Sequence, residues 1–377
     1  MNRMEYDNAI RRQVFQLPEL CEAQLEVCFG AGLKELMSMA EIFDARKIIL
    51  TGCGASYAAA VAMAPVIEKY CDCFGVTTMR MIEFTRFLSG AEIGIGEPNS
   101  PLVIVISADG MKARECEALM KADRIGAFPI LMTANTGARA AEYARRVYRT
   151  GTASAYDQSL GVNSYFGSLV GLLAFASRMG HVRGTLPPAG PSEFQEAIRS
   201  YVGSYRACLE RIDKQIFELA QKWKDLTQFD FIGDDVEYGS AFFGAAKFLE
   251  CTGDAVSVDD SEDWCHINYF IGSPDKVGTI VMADKNQASF GRIQETVASA
   301  VHIGRPVLVV TNAAASEFEQ GAVVCTLPDA PERFAWMFPL MDHIPVALLA
   351  GYFSVFHGLP AGTECKTLTD SKIEIYE

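Results

Sequence analysis

Lys247 and Glu250 close the apolar stretch Ala241-Phe-Phe-Gly-Ala-Ala-Lys-Phe-Leu-Glu250 at positions i and i+3. If that stretch is helical, an ammonium and a carboxylate share one face. A surface ion pair accounts for such spacing. The apolar neighbours point instead to a buried pair with a shifted pKa, and a carboxylate so placed can work as a general base near neutral pH. Downstream, Ser261-Glu-Asp-Trp-Cys-His266 sets carboxylates beside one of only five histidines. No other ligand stands at metal-binding spacing. The ordinary reading is an acidic helix start with an incidental His266.

Three turns carry candidate binding groups. In Gly52-Cys-Gly-Ala-Ser-Tyr57, small residues including Cys53 and Gly54 follow the apolar run Ile48-Ile-Leu-Thr51 and precede a helix expected over Ala58–Lys69. Such a turn lets backbone N–H groups and the helix N-terminus face an anion, with the Ser56 hydroxyl as a further donor. The glycines would equally serve a tight turn with no ligand. The pattern is not GxGxxG, so a dinucleotide fingerprint is unsupported. In Ser107-Ala-Asp-Gly110, Ser107 can donate to a phosphate, but Asp109 repels one unless a cation such as Lys112 intervenes. Asp109 reads more simply as a helix N-cap. Gly161-Val-Asn-Ser-Tyr165 opens a long helix, with Asn163 and Ser164 either capping it or meeting a ligand.

The elements that must hold these residues are duplicated. Val103-Ile-Val-Ile-Ser-Ala-Asp109, a helix-length stretch, and Ile125-Gly-Ala-Phe-Pro-Ile-Leu-Met-Thr-Ala-Asn135 are echoed by Thr279-Ile-Val-Met-Ala-Asp284 and Ile303-Gly-Arg-Pro-Val-Leu-Val-Val-Thr-Asn312. An apolar run, a helix and another apolar run make a βαβ unit. The expected fold is thus α/β, with two doubly wound, flavodoxin-like parallel sheets flanked by helices. Ligands of such sheets lie at the carboxyl ends of the strands. A helical lead-in is expected over 1–43, with Pro18 near a helix start. A first domain spans 44–183, a linker and long helix 184–225, a second domain 226–357, and a polar tail 358–377 either frays or lies over a site.

Composition narrows the function classes. Half of the 377 residues are hydrophobic and 21% are charged, as in a compact globular protein, and no apolar stretch reads as long enough to span a bilayer. The start lacks the apolar segment of a secretory signal. Eleven scattered cysteines without metal spacing suit reduced thiols in a cytoplasm. A net charge of −14 with no basic stripe argues against nucleic acid as a partner.

Taken in order, Gly52-Cys-Gly-Ala-Ser-Tyr57, Ile82-Glu-Phe84, Gly161-Val-Asn-Ser164, and Phe231-Ile-Gly through Lys247-Phe-Leu-Glu250 resemble the double sugar-isomerase (SIS) proteins. The nearest likeness is to the isomerase half of glucosamine-6-phosphate synthase and to the fructosamine-6-phosphate deglycases. The likeness runs from Arg11-Arg-Gln-Val-Phe-Gln-Leu-Pro18 to Ser371-Lys-Ile-Glu-Ile-Tyr-Glu377. It implies aldose–ketose chemistry, with deamination or deglycation, on an amino-sugar or fructosamine phosphate, without cofactor or metal. On that likeness Glu250 moves a proton between C2 and C1, and Lys247 assists the amine or carbonyl. His266 opens the ring from the partner subunit of a homodimer, and Lys372 on the tail closes over the sugar. Cys53, Gly54, Ser56, Ser107, Asp109, Lys112, Asn163 and Ser164 would bind the substrate, at one site per chain built from both halves.

Three departures qualify the likeness. The chain begins with the helical lead-in, so no glutaminase activity is expected. The family's phosphate loop, Ser-x-Ser-Gly-x-Thr, is here Ser107, Asp109, Gly110 and Lys112, with an acid and a base in place of two hydroxyls. The second strand–helix turn, glycine-rich in the family, reads Gly233-Asp-Asp235. The alternative reading is a non-catalytic regulatory protein that binds a sugar phosphate. Retention of the base, the ring opener and the tail lysine opposes it.

Overall fold

The computed structural model describes residues 3–73, 75–89, 101–151, 161–359 and 373. Helices α1 (Ala9–Phe29), α2 (Ala31–Leu36) and α3 (Met39–Asp44) make the lead-in. Pro18 lies inside α1, two turns from its start, where the sequence suggested a helix beginning. The described residues form two compact units. One holds the chain up to Glu19 and from Ser200 to Leu359, the other Leu20–Arg199 with Ile373.

In the Leu20–Arg199 unit, β1 (Ile48–Gly52), α4 (Ala55–Cys71), β2 (Val76–Arg80), β3 (Leu102–Ile106), α5 (Ala113–Arg124), β4 (Phe128–Thr133), β5 (Arg146–Arg149) and α6 (Val162–Arg183) follow in order. The sheet runs β2-β1-β3-β4-β5, all parallel. Every residue of β1, β3 and β4 is buried, because helices cover both faces of a parallel sheet, and such strands read as unbroken apolar runs. Gly184 ends α6 in the left-handed conformation, and α7 (Gly190–Ser204) begins within the segment expected to be a linker.

The other unit repeats the plan. After α8 (Leu209–Trp223) come β6 (Gln228–Ile232), α9 (Val236–Thr252), β7 (Ala255–Asp259), α10 (Ser261–His266), β8 (Val277–Ala283), α11 (Phe290–His302), β9 (Val307–Thr311), β10 (Val323–Thr326) and α12 (Ile344–Phe356). Their order is β10-β9-β8-β6-β7, the same topology as the first sheet with β6 in the place of β1. The region expected as one helix from Glu193 is broken by a 3-10 turn at Tyr205–Ala207. The segment Glu332–Phe356 has the length and mean hydropathy, 1.3, of a membrane span, against the sequence expectation that none would. It is a 3-10 stretch (Glu332–Leu340) followed by α12, and 89% of its most apolar window is buried within the fold. Within this unit, fully buried Asp213 on α8 accepts from Arg11 of α1 at 2.9 Å and from the Tyr352 hydroxyl of α12 at 2.5 Å, so its charge is paired as a buried carboxylate requires.

The duplication extends to backbone angles. Gly54 caps α4 at φ 53°, ψ −127°, and Asp235 caps α9 at φ 48°, ψ −117°. Two residues earlier in each turn, Gly52 and Gly233 sit where a Cβ would lie 2.8 Å from Ser56 or 2.4 Å from the Glu237 carbonyl, so the helix can fold back over the strand end. Asp235 thus holds a conformation suited to glycine, at a strain of about 1–3 kcal/mol. Glycine forfeits about 0.5–1 kcal/mol of that in the unfolded state. Asp235→Gly is expected to raise the unfolding free energy by about 1 kcal/mol. A denaturant midpoint equal to or below the parent's would show that the Asp235 carboxylate makes a compensating contact.

Candidate active site

At the carboxyl ends of the first sheet, the turn after β1 presents an exposed Cys53, Gly54 at positive φ, and half-buried Ser56, whose N–H bonds to the Cys53 carbonyl. The close approach at Gly52 and the positive φ at Gly54 give both glycines a structural reason. Although Cys53 is exposed by area, the protein atoms around its thiol desolvate it and push it up, and the charge of Glu115 adds to this, with Arg80 opposing. Arg80 ends β2 with its guanidinium 5.0 Å from the centre of the Tyr57 ring.

Between β3 and α5 the expected roles change. Asp109 is not the helix cap. α5 begins at Ala113, Lys112 holds the cap position, and Asp109 accepts from the Met111 N–H at 3.0 Å in a local turn. Lys112 is exposed, its Nζ 4.0 Å from Asp109. Ser107 does not point a free hydroxyl outward. It is buried, donates to Glu115 Oε1 at 2.5 Å, and accepts from the Gly110 N–H at 2.9 Å. Glu115 Oε2 takes the Lys112 N–H at 2.9 Å. Burial pushes this carboxyl up to about 7, and Asp109 adds to the shift against the lowering effect of the Ser107 and Lys112 N–H hydrogen bonds and of the Lys112 charge. The sequence reading passed over Glu115, since an acid in a first helical turn is commonplace.

α6 is capped by neither Asn163 nor Ser164. Gly161 holds the cap position at φ 65°, and Ser164 Oγ donates back to the Gly161 carbonyl at 3.0 Å. Asn163 is buried, and neither polar atom of its amide finds a partner among the described residues. A buried amide without partners sacrifices the hydrogen bonds it made to water, which suits a group kept for a ligand.

In the other unit, Lys247 and Glu250 are brought together on α9 as expected, but not as a wholly buried pair. The Lys247 side chain is 4% exposed, while that of Glu250 is 42% exposed. Lys247 Nζ donates to Glu250 Oε2 and lies 5.5 Å from the centre of the Phe243 ring. The Glu250 carboxylate is therefore partly exposed rather than buried as expected. His266 ends α10, exposed, with Nε2 3.0 Å from Glu262, which also pairs with Arg292 at 2.6 Å. No hydrogen bond or ion pair among the described residues joins His266 to Glu250 or Lys247. Asp260 caps α10 through the Glu262 and Asp263 N–H groups, so the acidic helix start is real. Lys372 lies outside the described residues.

Acids missed by the sequence reading crowd the carboxyl ends of the second sheet. Asp234 accepts from the Ser261 N–H and hydroxyl, both at 2.8 Å. Asp284 takes Asn286 and Asn312 side-chain amides, and Asp342 takes the Ser240 hydroxyl at 2.7 Å. Glu237 is fully buried, with no partner for either oxygen among the described residues. No group of three or more ligating side chains suited to a metal occurs among the described residues.

No family model matches the chain, and no curated protein matches it in sequence. Solved structures do match in shape. The C-terminal domain of glucosamine-fructose-6-phosphate aminotransferase from Francisella tularensis superposes with a TM-score of 0.80 at 15% identity, over 97% of this chain and 100% of that one. Tagatose-6-phosphate ketose/aldose isomerase from Escherichia coli gives 0.73 at 14%, over 98% and 97%. Glucosamine-6-phosphate deaminase from Thermotoga maritima gives 0.67 at 11%, over 94% and 97%. The chain shares the fold of these proteins, which here is two parallel five-stranded sheets flanked by helices.

Proposed function

We propose that the protein is an aldose–ketose-type enzyme acting on an amino-sugar phosphate or a fructosamine phosphate, by isomerisation with deamination or deglycation. The observation that carries this reading is the Lys247–Glu250 pair. A surface ion pair leaves its lysine in water, whereas here the ammonium is sunk into α9 and holds an accessible carboxylate by its oxygen. A fixed, outward-facing carboxylate can take a C–H proton beside a carbonyl or imine and return it to the neighbouring carbon. The C–H electrons form the C=C bond of an enediol or enolamine, and the carbonyl or imine π electrons move onto oxygen or nitrogen. The names of the structural neighbours, an isomerase and a deaminase of sugar phosphates among them, support this class.

His266, in this reading, serves ring opening, and a second copy of the chain is its setting. The run after it, with Ile267 62% and Phe270 76% exposed, leaves apolar side chains for such a copy to cover. Incubation in deuterated water with glucosamine 6-phosphate and with a fructosamine 6-phosphate tests the chemistry. Deuterium at C1 or C2, with release of the amine, is the expected result. Binding with neither exchange nor amine release would leave a sugar-phosphate sensor, and the enzymatic reading would fall.

A further inference from the structure

The loop between β3 and α5 ends at a helix N-terminus, where N–H groups favour an anion. In this chain an anion is already there. Glu115 reaches back from the first turn of α5, takes the Lys112 N–H on one oxygen and the Ser107 hydroxyl on the other, and is itself only 8% exposed. The Gly110 N–H is used up on Ser107. The Ser107 hydroxyl and the Lys112 N–H, two donors at the mouth of this turn, are thus held by a carboxylate of the same helix. We propose that Glu115 is a specificity-determining residue, an internal competitor for the ligand's anionic group, so that a phosphorylated ligand enters this loop only when Glu115 is protonated or swung aside. The inference rests on the reading above, in which the ligand is a sugar phosphate.

The charges around Glu115 determine the sense of the effect. Asp109 raises its affinity for a proton and Lys112 lowers it, while Cys53 lies close enough across the β1–α4 turn to feel its charge. The charged groups of the elements packed on α5 are Glu83 and Arg86 in the helical turn after β2, and Arg139 and Glu142 in the turn after β4. Arg86 is paired with Glu117 at 2.6 Å, as is Arg114 at 2.8 Å, so those guanidinium groups are committed to another acid. Glu115 titrates at about 7. Below that it is neutral and able to share the loop. Above it, a phosphate dianion and the carboxylate repel at contact distance.

The test is calorimetric affinity of the whole chain for glucosamine 6-phosphate, glucosamine and inorganic phosphate at pH 6 and pH 8. In the parent protein, affinity for the two phosphate-bearing probes should weaken from pH 6 to pH 8. Glu115→Gln removes the charge, keeps one acceptor oxygen for the Lys112 N–H, and places an NH2 that can donate to the Ser107 hydroxyl oxygen. It should bind both probes roughly tenfold or more tighter at pH 8, and leave glucosamine unchanged. Glu115→Ala, which frees the donors outright, should act in the same direction if the glutamine variant folds poorly. Phosphate's own second ionisation affects every variant alike. Measurable affinities that are the same in parent and variants at both pH values would overturn the inference and leave the proposed function standing. No binding of any phosphorylated probe, even by the variants at pH 6, would overturn both.

Discussion

Glu250→Gln is expected to bind a sugar phosphate as the parent does and to lose turnover by about 10³-fold, within the 10²–10⁴ range that a positioned general base contributes. Such a loss corresponds to about 4 kcal/mol of transition-state stabilisation. The substitution suits the question because Glu250 is accessible and the amide oxygen still receives the Lys247 ammonium. The fold should therefore survive, and an unfolding curve close to the parent's is the control. Deuterium exchange should fall with turnover, since both need the same C–H cleavage. Full exchange with reduced amine release would move the role of Glu250 to a later step. Unchanged turnover would remove it from the chemistry, and the proposed function would lose the observation that carries it.

The sequence showed the architecture better than the site, for physical reasons. Strands covered on both faces read as plain apolar runs, and Leu102–Ile106 and Val277–Ala283 stand out for that reason. The repeat of those runs predicted two sheets, and both have the same strand order. Side-chain roles were less legible because they depend on which way a short turn points. Ser107 and Asp109 read as ligand donor and helix cap, yet Ser107 turns inward to Glu115 and α5 starts later than its first polar residue suggests. Nothing in the sequence separates a first-turn acid that faces water from one that folds back, so Glu115 passed unnoticed. One signal was available and unused. Aligning the two duplicated turns sets Asp235 against Gly54, which foretells the positive φ found there.

Glu237 and Asp342 lead to the other large effect, on stability. Both are fully buried. Burial pushes the Asp342 carboxyl up to about 8 and Asp284 adds to it, while the Ser240 hydroxyl opposes. Burial raises Glu237 too, with Asp342 and Asp284 contributing. The folded chain thus keeps protons on acids that the unfolded chain releases near pH 4. Raised carboxyl pKa values contribute stability that is full below the unfolded value and is lost as pH rises through the folded one. Each retained proton lowers the unfolding free energy by about 1.4 kcal/mol per pH unit across that window. For Asp342, between its ordinary 3.8 and about 8, the sum is on the order of several kcal/mol. Asp342→Asn keeps an oxygen for Ser240 and removes the ionisable group. It should exceed the parent's stability by a few kcal/mol at pH 8, and the difference should shrink toward pH 4. Comparing the two proteins matters more than either profile alone. Asp7 and Glu41 have lowered values despite the opposing effect of burial, because neighbouring arginines or the Ser38 cap hydrogen bonds hold their charge, and they titrate with the opposite sign in both proteins. A difference that stays constant from pH 4 to pH 8 would mean that Asp342 is ionised in the folded protein throughout, with a cationic partner offsetting its burial.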